Sequence, residues 1–467
     1  MAQKIIFYEM NEVPLKVFNH YCKNFPKSAF ARLRDRADIF ETVAEDSGHL
    51  SPWVTWPTLH RGVTNDVHEI TDFGQNLTAI DKEAPPIWEM LARNGVKVGM
   101  FGSLHTYPMP QDMSNYAFYV PDTFAAGPEC FPKKFESFQN FNLAMAGKNA
   151  SQVNSGIALK EASRFLRAAP GLGLSGRTVS KLVSQLASER FDRKRVVRRR
   201  TSQVQIAFDF FLRSLRQDRP DASFFFTNHV ASSLHRYWPS LFPDDYDILS
   251  YDEEWLKAWK DEIPFTLHEA NYQLSQLMEF ADASEDFKIV VVTSMGQAAV
   301  QGKERIERKV IFTGLRSLMQ GLGLGDEDWQ KRPAMVPQYI VYVAPASRNM
   351  FMQNVGALSI CGKGLTVEPL GEGVYRMEFS MVNMPAIEVF YQGERVDPKK
   401  FGIVNVDLQD AAGANAYHIP EGMMAVYDPK KASSKNVNRI STLEVTPSVL
   451  ANFGIKSPAY MQRGFTI

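Results

Sequence analysis

Apolar residues in the first part of the chain fall into short runs set between segments of helical period. Ile5-Ile6-Phe7-Tyr8 reads as a buried strand, Pro26 to Arg36 as a helix, and Ile87 to Asn94 as a helix stopped by Gly95. Val96 to Gly102 is the next strand, and helix, glycine stop and β-branched run together form one arm of a βαβ unit. Ser223 to Thr227 and the wholly apolar Ile289-Val290-Val291-Val292-Thr293 are further strands, the second covered on both faces. This alternation predicts an α/β fold around a mainly parallel, doubly wound sheet.

Two stretches break the pattern. Residues 124–219 read as helical throughout and carry a basic run of Arg190, Arg193, Lys194, Arg195, Arg198, Arg199 and Arg200. That run reads first as a solvated helix surface paired with acids elsewhere, and second as a phosphate- or partner-binding face. Residues 349–404 alternate polar and apolar positions, as in Val374 to Phe379, with turns at Gly371 and Gly393, which predicts a small antiparallel β insertion. The expected division is a core of 1–123, 220–348 and 405–467, a helical cap of 124–219, and the β insertion. Gly321, Gly323 and Gly325 follow a helix instead of opening one, which excludes a dinucleotide loop.

Composition narrows the function classes. Lys+Arg and Asp+Glu both number 52, so no global field favours nucleic acid or an anionic surface, and any anion affinity is local. Three widely spaced cysteines, Cys22, Cys130 and Cys361, fit a reducing compartment and exclude a cysteine-based zinc site. Neither a secretory-signal pattern nor a run of ~20 apolar residues occurs, which points to a cytoplasmic protein without a membrane span.

Candidate chemistry collects where the strand Ser223–Thr227 ends. His229 and His235 follow it directly, with Asn228 before them and Arg236-Tyr237-Trp238-Pro239 after. Ligands gather at the carboxyl ends of parallel strands, and imidazole suits a metal ion or an anion there. The plainer reading of two such histidines is a bond from each ring to a backbone carbonyl.

Four separated segments, in order, resemble the alkaline phosphatase superfamily, specifically its type I phosphodiesterase/nucleotide pyrophosphatase branch. Ile5 to Glu12 is similar to the opening strand whose end supplies a metal-binding Asp, matched here by Asn11, with Glu9 or Glu12 as substitutes. Trp53 to Gly62, with His68 downstream, is similar to the nucleophile loop and helix. Pro52 stands at the nucleophile position, which leaves Ser51 and Thr55 as candidates. His235 matches a histidine ligand, but Ala231 replaces the Asp that precedes it in the family. Ser294-Met295-Gly296 replaces the family's Asp-His-Gly. Tyr417-His418 to Pro429 resembles the late loop in which a histidine completes a metal site, and Thr446 to Ile455 resembles the closing helix.

The resemblance implies an alkaline phosphatase-like three-layer α/β/α core with an uneven site. Glu9, Asn11, Asn228, His235 and His418 are the candidate metal ligands, sufficient for one divalent zinc or manganese ion and not for two-metal catalysis, because Met is a poor ligand for such cations and Asn and Ser leave their charge uncompensated. Ser51, Thr55 and His229 are the candidate catalytic groups. His60, Arg236, Trp53, Trp56, Tyr237 and Trp238 are candidate substrate contacts, the aromatic residues as a platform for a sugar or base. The expected activity is hydrolysis or transfer of a phosphate or sulfate ester on a small molecule or glycan. The alternative is an inactive binding module for a glycan, nucleotide sugar or protein partner. Degenerate relatives of this kind resemble companions of surface-polysaccharide assembly.

Overall fold

The computed structural model describes residues 3–149, 165, 169, 171–332, 334, 338–433 and 436–467. The chain divides into two compact units. The first comprises Met1–Ala146, Gly156–Lys303 and Ala414–Ile467, and the second Gly147–Ser155 and Glu304–Gly413.

The first unit is built on the strands β1 (Lys4–Met10), β2 (Asp38–Val43), β3 (Val98–Phe101), β4 (Tyr116–Val120), β5 (Ala222–Thr227), β6 (Phe287–Val292), β7 (Gly296–Ala299), β8 (Ala416–Ile419), β9 (Met424–Tyr427) and β10 (Val437–Ser441). Eight of them form one sheet in the order β10-β2-β9-β6-β1-β5-β3-β4. All neighbours run parallel except β9, which is antiparallel to both β2 and β6. The predicted strands therefore sit at the centre of the sheet, where β1, β5 and β6 are apolar on both faces.

Helices cover the two faces. The main ones are α1 (Pro52–Arg61), α2 (Ile87–Arg93), α3 (Gly176–Phe191), α4 (Arg199–Asp218), α5 (His229–Leu241), α6 (Glu262–Ser284) and α7 (Val445–Asn452). On one face Phe7, Phe224, Val290 and Val292 pack with Trp56 and Leu59 of α1, Trp88 and Leu91 of α2, and Val449 and Leu450 of α7. On the other, Phe225 stacks on Phe211 of α4 with ring centroids 4.8 Å apart, and the Tyr8 hydroxyl donates to Gln273 of α6 at 2.7 Å. Alternate side chains along each strand thus feed opposite helical layers.

The stretch 124–219 carries helices, including Glu136–Asn149, α3 and α4, and apart from Gly147–Ser155 it groups with the first unit; the part of it at 150–164 lies outside the described residues. Part of its basic run is spent on acids. Arg195 and Arg198 both reach the buried Glu262, and Arg199 forms a bidentate pair with the buried Glu189.

The second unit is wider than the 349–404 expected from alternation alone. Arg308–Phe312 pairs antiparallel with Ile403–Asp407, so the chain enters and leaves through adjacent strands whose partnership no local pattern reveals. Four-stranded antiparallel sheets surround a core that includes Leu318, Val341, Phe351, Ile360 and Phe401. The anticipated turns at Gly371 and Gly393 have φ of 93° and 84°, values glycine adopts without a Cβ clash.

Candidate functional site

The carboxyl ends of β1, β5 and β6 open beside the start of α1, the second turn of α5, and β8. Two prolines inside helices shape this edge. Pro239 in α5 has no N–H to give the His235 carbonyl, which instead accepts from Asn415 N–H at 2.7 Å; the Asn415 amide also donates to the Arg236 carbonyl at 2.7 Å. That tie draws β8 against α5 and brings His418 to His235, their rings 5.3 Å apart. Pro57 in α1 likewise leaves the Trp53 carbonyl to accept from His105 Nε2 at 2.8 Å.

Glu12, His235 and His418 converge, with one ligand atom from each lying within 4.8 Å of the others. His235 Nε2 is 2.8 Å and His418 Nε2 3.3 Å from Glu12 Oε2. The far nitrogen of each ring is fixed: His235 Nδ1 donates to the Ala416 carbonyl and His418 Nδ1 to the Leu50 carbonyl, both at 2.7 Å. A carbonyl only accepts, so both rings carry hydrogen on Nδ1, and in the neutral tautomer both Nε2 lone pairs face a carboxylate. Three acceptors at this separation require positive charge between them, as protons or as a cation. Burial pushes the Glu12 carboxyl up, but the charges and hydrogen bonds of His235 and His418 outweigh it and hold the group far below the usual carboxylate range. Burial lowers His235, and the charge and hydrogen bond of Glu12 more than reverse this, so its pKa is raised. Of the two strand-end histidines for which a carbonyl bond was the plainer expectation, His235 makes one and His229 does not; on His235 and His418 alike the Nδ1 bond points Nε2 at Glu12.

Neutral hydrogen bonds occupy the rest of the edge. Asn11 donates to Glu12 Oε1 at 2.7 Å and to Asn228 Oδ1 at 2.8 Å, and accepts from Trp56 Nε1 at 2.9 Å. Thr55 and Ser294 share a hydroxyl bond at 2.8 Å, and Met295 beside them is buried. The Gln297 amide donates to Glu12 Oε2 and to the Ala231 carbonyl. Ser51 caps α1 without using its side chain, and its buried Oγ has no partner.

Several sequence candidates lie away from this convergence. Glu9 Oε1 is paired with His60 Nε2 at 2.7 Å and its other oxygen accepts from Ser103, a closed buried group under α1. His229 is buried, and burial pushes its pKa down to about 4 against the opposing charge of Glu269 and a backbone interaction with Thr266, so it stays neutral. The expected aromatic platform is packing: Trp56, Tyr237 and Trp238 are at most 1% exposed, Tyr237 stacks on Trp259 at 5.3 Å, and Trp238 Nε1 donates to Asp245 at 2.8 Å. Each ring continues the apolar face of its helix, which buries it. Trp53 is half-buried against Phe73, and Arg236 is half-buried beside His235.

His49 and Tyr417 lie next to the convergence and were not singled out by sequence. The exposed His49 ring is 6.3 Å from that of His418, its Nε2 is 3.3 Å from the Tyr417 hydroxyl, and Tyr417 stacks on His418 at 4.1 Å. Tyr417-His418 as adjacent residues on one strand and the isolated His49 two residues before Ser51 were the only signals.

Among the described residues no helix is long and apolar enough to cross a membrane. No family model matches the chain, and no curated protein matches it. Among solved structures, it is similar to murine ectonucleotide pyrophosphatase/phosphodiesterase 5, described as inactive and in complex with AMP, at 11% identity and a TM-score of 0.41 over 98% of this chain and 97% of that one. A second structure of the murine protein matches at the same identity and TM-score over 98% of both chains, and the human protein at 10% identity and a TM-score of 0.41 over 98% and 97%.

Proposed function

We propose that the chain acts on a phosphate or sulfate ester at a site with one cation, held by Glu12, His235 and His418, with Ser51 as the attacking hydroxyl. The observation that carries this reading is the pair of Nδ1-anchored imidazoles whose Nε2 atoms both address Glu12 Oε2. Two imidazole nitrogens and one carboxylate oxygen fit zinc or manganese as a donor set with an open position. Bound there, the ion supplies Lewis-acid polarisation of an ester oxygen. The protein supplies the rest. Ser51 follows Leu50, whose carbonyl holds His418, so the hydroxyl and the ligand are fixed by consecutive residues. The positive end of α1 favours an anionic oxygen beside Ser51, and the orphaned Oγ is free of any bond that an attack would have to break. Gln297 and Asn11 hold the Glu12 carboxylate in place from two sides.

A binding module for a nucleotide sugar, glycan or protein is the second reading. The Thr55–Ser294 bond and buried Met295 favour it, since they leave no carboxylate for a second ion. Metal analysis of the purified chain, followed by a panel of nitrophenyl phosphate mono- and diesters and sulfates with added zinc or manganese, separates the two. On the first reading, as Ser51 Oγ bonds to phosphorus or sulfur, the ester bond to the leaving oxygen breaks and the hydroxyl proton passes through solvent to that oxygen, after which water releases the group from Ser51. The expected result is one equivalent of metal, lost in His235→Ala and His418→Ala. Hydrolysis is expected to vanish in Ser51→Ala while the metal is retained. A folded wild-type chain that takes up no zinc or manganese would overturn the cation site, and hydrolysis unchanged in Ser51→Ala would overturn the nucleophile.

A further inference from the structure

The basic run at 190–200 is only partly absorbed by ion pairs, and what is left over adjoins an unusual surface. Helix α3 is anchored through one side, where Thr178 and Glu189 are buried, Gln185 donates to Glu189, and Arg199 clamps the same carboxylate. The side turned away carries Val179, Val183 and Leu186 at i, i+4 and i+7, which are 44%, 61% and 53% exposed, and ends in Phe191 at 90%. Scattered surface apolar residues are ordinary, but three on one helix face followed by a bare aromatic ring at the helix end are not. Around Phe191 stand the exposed cations Arg190, Arg193 and Lys194; Arg190 and Lys194 form no ion pair among the described residues. Residues 176–200 hold nine Lys or Arg against two acids, Glu189 and Asp192, in a chain whose net charge is zero.

We propose that the outer face of α3 docks on an anionic lipid surface. A convex helix with an apolar stripe and cations at one end fits the plane of a bilayer: Val183, Leu186 and Phe191 enter the headgroup boundary while Arg190 and Lys194 extend to lipid phosphates. The local excess of positive charge selects acidic headgroups, and the flatness of the contact needs no complementary groove. The proposal does not depend on the chemistry proposed for Ser51 and the three ligands, which lie on other elements.

The test is co-sedimentation of the full chain with vesicles of phosphatidylcholine, with or without phosphatidylglycerol, across a salt series. Binding is expected only with phosphatidylglycerol and is expected to weaken as salt rises. Arg190→Gln and Lys194→Gln are each expected to cost roughly fivefold in partitioning. The pair Val183→Ser and Phe191→Ser abolishes binding while leaving the melting curve unchanged, because these side chains are exposed. Failure to sediment with acidic vesicles overturns the proposal, as does equal binding to pure phosphatidylcholine. Concentration-dependent self-association removed by Phe191→Ser would also overturn it, by assigning the face to a second copy of the chain.

Discussion

His68 offers a direct measurement of how burial and charge are balanced beneath the candidate site. Its Nδ1 accepts from Ile70 N–H at 2.9 Å, so Nε2 carries the hydrogen and donates to Thr58 Oγ1 at 2.9 Å; the Thr58 hydroxyl then donates to Asp46, which also accepts from Asn65 N–H at 3.0 Å. Burial pushes His68 down to about 4, helped by the charge of Arg61, and pushes Asp46 up to about 6. The two effects have opposite signs. Between its unfolded pKa near 6.5 and its folded value, His68 binds its proton in the unfolded chain first, so stability falls as the pH falls. Asp46 takes up its proton in the folded chain first, so stability rises over roughly the same range. From about pH 7 to about pH 4.5 the His68 share amounts to two units at 1.36 kcal/mol each, or about 2.7 kcal/mol lost, against about 2 kcal/mol gained through Asp46. The wild-type profile is therefore nearly flat in these two groups. His68→Gln retains an amide able to accept from Ile70 and donate to Thr58, but it does not titrate. Urea denaturation across this range is expected to show the stability gap between wild type and variant moving by about 2 to 3 kcal/mol in favour of the variant on acidification. Parallel profiles would refute the argument, because they would mean that the ring does not stay neutral in the fold.

Glu12→Gln removes the carboxylate that both imidazoles address. Wild type in zinc at about a hundredfold its dissociation constant is expected to gain about 2.7 kcal/mol over the chelated protein, and the variant nothing, by thermal or urea unfolding. Trp56→Phe puts a smaller ring in a fully buried site and strips the donor from Asn11 Oδ1, and the two losses together are expected to cost about 2 to 4 kcal/mol in the same measurement. Gly296→Ala puts a Cβ 2.1 Å from the Glu421 carbonyl; because Gly296 pairs with Ile419 on β8, the forced shift is expected to destabilise by about 1 to 3 kcal/mol and to weaken zinc uptake through His418. A Gly296→Ala chain with unchanged zinc affinity would show that β8 does not set the His418 position.

The central strands were legible because each is a short apolar run bounded by a helix stop or polar residues, and the structure extends them by only a few residues, as Ile5–Tyr8 becomes Lys4–Met10. His235 and His418 were legible as strand-end and loop histidines in the expected order, and their rings do meet. The choice among Glu9, Asn11 and Glu12 was not. These residues lie within four positions, and the one that reaches the histidines is decided by Glu12 adopting a left-handed φ of 57°, which turns the chain just beyond β1. Periodicity carries no sign of such a turn. Aromatic residues near a functional edge were ambiguous for a related reason: Trp56 directly follows Thr55 and Tyr237 lies two positions after His235, and the roughly 100° to 200° of rotation between such neighbours is the difference between cleft and core. The second unit's outer boundary was hidden because its closing strands, Arg308–Phe312 and Ile403–Asp407, are more than ninety positions apart.

The same sheet edge thus holds two kinds of polar grouping, and the contrast between them determines what it can bind. Trp56 donates to Asn11, which donates in turn to Asn228 and Glu12, and Thr55 and Ser294 close on each other. A cation placed beside Thr55 and Ser294 would have to break a satisfied bond and would meet no formal negative charge from either side chain, a double cost in a buried setting. Glu12 presents the reverse situation. Its carboxylate is buried, and the lone pairs around it gain from a positive charge in every protonation state in which the imidazoles are neutral. Under the one-cation reading proposed above, a preference for one ion over two follows from where carboxylates remain. Restoring Ser294→Asp alone would leave that residue facing Thr55 and Met295 without the imidazole partner that makes the Glu12 position work.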